Sequence, residues 1–107
     1  MNDEQLTATA NICQEMLFAE WNIEMEVDEA REITSSILEE KNFWKCWQAN
    51  IICDSEFARI LLAKFETRVG HLRDLRLYRE RDAPIDDSYA QNLLIAIAMR
   101  DSEDRTP

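Results

Sequence analysis

The stretch KNFWKCWQANIIC, residues 41–53, places two tryptophans, a phenylalanine and two cysteines within thirteen positions. It is either a site whose thiols serve a metal or redox chemistry, or the middle of a hydrophobic core. On a helix over 42–53, Phe43, Trp47 and Ile51 fall on one line at steps of four, with Trp44 and Cys46 to either side. Cys46 and Cys53 are then two turns apart, about 10 Å along the axis. That separation is too long for a disulfide or one shared ion without rearrangement. A structural zinc site wants four ligands, usually including closely spaced cysteine pairs. This chain has three cysteines, one histidine (His71) and no C-x-x-C. Only Lys45, Gln48 and Asn50 are clearly polar inside the helix, so it reads as a buried central element with its cysteines acting as small hydrophobes. The competing reading is an exposed aromatic patch that docks a partner through Trp44 or Trp47.

Working outward, the chain of 107 residues has one glycine and two prolines, with 46% hydrophobic residues. A sheet protein of this size needs turns, and turns draw on Gly and Pro. Their scarcity, beside many Ala, Leu, Glu and Arg, predicts an all-α fold: a compact bundle of four or five helices in a single domain over 1–107. A chain of this length buries about two thirds of the surface exposed by its unfolded form, enough for one core.

Periodicity places the helices. Leu6, Ala10, Cys13, Leu17 and Trp21 form one stripe over 3–21, widened by Ile12, Met16 and Phe18. Asn2 and Gln5 have capping-box spacing at its start. The alternating NIEMEV, 22–27, has no strand to pair with and reads as a connector. Asp28 is the expected N-cap of a second helix, with Ala30, Ile33, Ile37 and Leu38 facing inward. Asn42 is the expected cap of the third helix, and Asp54 of a long fourth helix over 55–81 with a stripe of Phe57, Leu61, Phe65, Leu72 and Leu75. Gly70 inside it costs about 1 kcal/mol relative to Ala and marks a kink or a close approach. RDAPIDDS, 81–88, breaks the helix, since Pro84 disfavours helix at Ala83. Ser88 with Gln91 then opens a fifth helix ending near Arg100, and 101–107 is a frayed polar tail.

Net charge is −10 and uneven. Residues 1–42 hold 11 acids and 2 bases, 43–81 hold 5 acids and 8 bases, and 82–107 hold 6 acids and 2 bases. An acidic front half repels nucleic acid and anionic membrane and attracts basic protein surfaces. Glu20, Glu24, Glu26, Glu29 and Glu32 are the candidate partner-binding residues, within a wider acidic set that includes Asp28, Glu39 and Glu40. Carboxylates spread along a small helical body can resemble a phosphate backbone or dock against a basic cleft. The bland alternative is a face that only confers solubility.

The second candidate is the basic run KFETRVGHLRDLRLYRER, 64–81. Arg68, Arg73, Arg76 and Arg79 would neutralise phosphates in a nucleic-acid-binding regulator. The competing reading pairs this face with acidic helices of the same bundle or of a second copy. Overall charge favours the latter. His71 has no nucleophile and orienting group at recognisable spacing. One glycine leaves no Gly-rich phosphate loop. No catalytic residue, metal or cofactor is assigned.

The longest apolar run, LLIAIAM, is seven residues against the roughly 20 needed to cross a membrane. The acidic start does not resemble a secretory signal, and an odd number of cysteines makes a poor disulfide framework. The expectation is free thiols in the cytoplasm. NLLIAIAMR is apolar on all sides, and with 42–53 also read as central it suggests a homodimer. The functional expectation is a non-enzymatic protein-interaction module, an acidic regulator or inhibitor of a protein partner.

Overall fold

The computed structural model of the chain describes residues 2–74 and 86–105, the last part, 98–105, as backbone. Helix α1, Asp3–Trp21, opens with the capping box that the sequence specifies. Gln5 N donates to Asn2 Oδ1 at 2.8 Å, and Asn2 N donates to Gln5 Oε1 at 3.0 Å. Two otherwise unpartnered amides of the first turn are thereby satisfied. Ala10, Ile12, Cys13, Met16 and Leu17 are buried as the stripe requires. The helix stops at Asn22, which takes a left-handed conformation (φ 54°) that asparagine tolerates better than most residues. Phe18 departs from the expectation, with half of its surface exposed.

Residues 22–26 form the expected connector, with no helix or strand. Ile23 and Met25 turn toward the core, while Glu24 and Glu26 face solvent. Gln14 Nε2 donates to the Met25 carbonyl at 2.7 Å, so the connector lies back along α1. Helix α2, Val27–Glu39, begins two residues earlier than its sequence signal. Glu26 is its N-cap, and Asp28 lies in the first turn, where its charge still meets the positive end of the helix dipole. Ala30, Ile33, Ile37 and Leu38 are buried. Thr9 and Thr34, also buried, return their hydroxyls to the carbonyls of Gln5 (2.7 Å) and Ala30 (2.8 Å), which leaves no orphaned donor there.

The opening stretch does not form one central helix. After α2 comes a 3₁₀ turn, Glu40–Asn42, in which Lys41 (φ 51°) and Asn42 (φ 58°) are both left-handed. Asn42 makes no side-chain cap. Helix α3, Phe43–Gln48, spans six residues, and Asn50 (φ 60°) is left-handed again. These reversals are local backbone choices that a count of apolar residues does not register. In consequence only Phe43 of this stretch is fully buried. Trp44, Cys46 and Trp47 are half-buried, Ile51 is 73% exposed and Cys53 is exposed.

Helix α4, Asp54–Leu72, is N-capped by Cys53 rather than Asp54. It buries Phe57, Ala58, Leu61, Leu62, Phe65 and Val69. Gly70 is buried and does not break the helix. The helix ends at Leu72, itself exposed, and Asp74 turns left-handed (φ 54°), so the continuous helix to Arg81 is not formed. Leu75, Arg76, Arg79 and the expected break at Pro84 lie outside the described residues. Helix α5, Asp87–Arg105, begins where Ser88 N donates to Asp86 Oδ1 at 2.9 Å. Asp86 thus does what the sequence reading gave to Ser88, and the helix continues past Arg100.

The four long helices close into a ring: α1 packs on α2 and α5, and α4 packs on the same two. Their inward stripes make one core, with Phe57, Phe65, Met16, Leu17, Ile37, Leu61, Leu62 and Leu93 fully enclosed. Each such side chain contributes about 1.5–3 kcal/mol on burial. The expected all-α bundle is what forms. Trp21 Nε1 donates to the buried Glu66 at 2.7 Å and ties the end of α1 to α4.

Candidate protein-binding face

The acids and bases on and beside α2 and α4 sort into different environments. Glu29 of α2 lies 3.5 Å from Arg73 at the end of α4, Arg68 Nη1 donates to Ser36 Oγ at 2.9 Å, and Lys64 Nζ reaches Glu40 at 3.3 Å. Arg68 also pairs with Glu40. Residue numbers rise on one helix as they fall on the other, so α2 and α4 are antiparallel and joined along their length by ion pairs. Glu40 is held below the usual carboxylate range, first by the hydrogen bond and charge of Lys64, then by Arg68. The described part of the basic run therefore faces acids of its own bundle. Arg68 and Arg73 of the candidate basic face are both engaged this way, and Arg76 and Arg79 lie outside the described residues.

The five acidic candidates divide. Glu29 is engaged with Arg73, and Glu20 is half-buried near the end of α1. Glu24 and Glu26 project from the connector, and Glu32 lies on the solvent stripe of α2 with Asp28 and Glu39, at helical steps of four and seven. Glu24, Glu26, Asp28 and Glu32 take part in no ion pair among the described residues.

The structure adds residues that the sequence reading left out. Asn11, Gln14, Glu15 and Phe18 of α1, with Glu24 and Met25 of the connector, line an open hollow of about 410 Å³. Gln14 fixes its form by holding the Met25 carbonyl. Glu24 is the one acidic candidate that lines it. The available signal was Phe18 itself: it follows Leu17 by one residue, about 100° around the helix from the buried stripe.

A second hollow, about 380 Å³, lies along α4 between Glu40, Ile60, Ala63, Lys64, Thr67, Arg68 and His71. The Thr67 hydroxyl, one turn from His71, donates to the Ala63 carbonyl at 3.0 Å. The cysteines occupy three environments: Cys13 is buried, Cys46 half-buried and Cys53 exposed. Among the described residues no three His, Cys, Asp or Glu side chains are grouped to hold a metal ion, and no helix is long and apolar enough to cross a membrane.

Comparison with known proteins finds no match to this chain among protein-family models, curated proteins or solved structures.

Proposed function

We propose that this chain is a non-enzymatic protein-binding module, a small acidic regulator or inhibitor that engages a basic surface of its partner. The engaging side is the connector and the outer face of α2, with Glu24, Glu26 and Glu32 as its charged contacts. One observation carries the reading: Lys64 and Arg68 of α4 are matched to Glu40 just past α2, and Arg73 at the end of α4 to Glu29 of α2, whereas the carboxylates of the connector and the α2 outer face have no cation of their own among the described residues. Unmatched charge of one sign creates a field that speeds encounter with the opposite sign. The same sorting weighs against the nucleic-acid reading, because phosphate would have to displace Glu40 and Glu29 from the arginines it needs.

The test is parallel titration of a lysine-rich polypeptide and of random-sequence duplex DNA over a range of salt. The protein should bind the polypeptide, more weakly as salt rises, and should not bind DNA. Substituting Glu24, Glu26 and Glu32 by lysine should abolish polypeptide binding. DNA binding that falls with salt and is lost in Arg68→Glu would move the function to α4.

A further inference from the structure

We infer that the hollow between α1 and the connector receives an amphipathic basic segment of a partner protein, with one apolar side chain seated against Phe18 and Met25 and flanking lysines or arginines on Glu15 and Glu24. The inference rests on the proposed binding of a basic partner and says where and how that partner is held.

Three features of the hollow select this occupant. Its lining combines Phe18 and the partly buried Met25 with two acidic residues and no base. Phe18 is 51% exposed on a helix that buries its neighbours Met16 and Leu17 completely. A large aromatic side chain left in water within an acidic rim matches the pattern of an interface anchor ringed by polar contacts. The volume of about 410 Å³ falls at the small end of ligand pockets, roughly 300–1,000 Å³, yet the hollow is open. An open shallow site encloses a free small molecule poorly, and it suits a side chain projecting from a larger body.

The floor is also prearranged. Gln14 holds the connector through the Met25 carbonyl, and Asn11, Glu15 and Phe18 recur at steps of four and three on one face of α1. The apolar contact and the charges are therefore presented by a helix and a tethered connector, with little ordering required on binding.

The experiment titrates the isotope-labelled protein with a helical peptide of lysine, alanine and leucine whose leucines form one face. A control peptide carries serine at the leucine positions and keeps every lysine. The leucine peptide should bind at least about tenfold more tightly than the control, a difference of about 1.4 kcal/mol. Phe18→Ala should erase that preference without changing the melting temperature, and Glu15→Gln with Glu24→Gln should weaken both peptides. Equal binding of the two peptides, unaffected by Phe18→Ala, overturns the hollow as the docking site while leaving the acidic reading intact. Failure of both peptides to bind overturns both readings. Spermidine competing as well as the leucine peptide would assign the hollow to a small polyamine. Self-association that Phe18→Ala abolishes would assign it to a second copy of this chain. Either result contradicts the inference.

Discussion

Trp47 lies flat on Phe57, with ring centroids 4.2 Å apart and planes within 7°. Its indole Nε1 donates to Asp54 Oδ1 at 2.8 Å, in the first turn of α4. Phe43 stacks on Phe57 at 5.0 Å, and Trp44 meets both Trp47 and Phe57 edge-on, at 5.1 and 6.1 Å. A six-residue helix is unstable alone, because nucleation is not recovered over so few hydrogen bonds. This aromatic group is what holds α3 against the start of α4.

Trp47→Ala should therefore destabilise the protein by about 2 kcal/mol, less than the roughly 3–5 kcal/mol expected for Phe57→Ala, because Trp47 keeps one side in water. The double variant should lose about 1 kcal/mol less than the sum of the two, the share carried by ring–ring contact. Guanidinium unfolding midpoints of the three variants measure this. Strict additivity would mean that the stacked geometry adds nothing.

The opening stretch shows where sequence was enough and where it was not. The stripes of α1, α2 and α4 were legible because burial on a long helix repeats every three or four residues, and Ala10, Cys13, Leu17, Ile33, Ile37, Phe57, Leu61 and Phe65 obey that repeat. The break of 42–53 into a six-residue helix and a turn was not legible. It depends on left-handed conformations at Lys41, Asn42 and Asn50, which asparagine permits but does not compel, and which lysine resists. The acidic candidates could be named but not ranked from sequence. Only the antiparallel pairing of α2 with α4 distinguishes the engaged Glu29 from Glu24, Glu26 and Glu32.

Burial pushes the Cys13 thiol up to about 12 from 9.0, against a smaller opposing effect of its hydrogen bond with Thr34. Between those values the unfolded chain gives up the proton and the folded chain keeps it. The stabilisation is thus complete below about pH 9 and is lost as pH rises through the folded value, at up to about 1.4 kcal/mol per pH unit. Cys13→Ala should flatten the alkaline arm of the stability curve relative to wild type. Parallel curves for the two proteins would contradict this.

Cys53 is exposed, and its pKa is lowered, first by the hydrogen bond with Ser55 at 3.5 Å and then by the Glu56 backbone. More thiolate at neutral pH and free access make it the first thiol to react. Iodoacetamide labelling followed by peptide mass mapping should show Cys53 modified first and Cys13 last, and Ser55→Ala should slow Cys53. Faster labelling at Cys46 would show that access around 49–53 is more restricted than the structure indicates.

Glu40 is the acid on which both Lys64 and Arg68 converge. Because its folded-state pKa is lowered, its contribution is present above the unfolded carboxyl value and is lost as pH falls through the folded one. The melting temperature of Glu40→Gln should lie below that of wild type at pH 7, and the gap should narrow as pH falls through the acid range. Lys64→Ala and Arg68→Ala should combine non-additively. A gap of the same size at every pH would mean that Glu40 acts through packing and not through its charge.

The most direct test of acidic-face binding is the footprint of a lysine-rich peptide on the isotope-labelled protein, mapped by amide chemical shifts. The account predicts perturbations over residues 11–32, centred on the connector that carries Glu24 and Glu26, with residues 61–70 of α4 unchanged. A footprint along Lys64, Arg68 and Arg73 with a silent connector would contradict it.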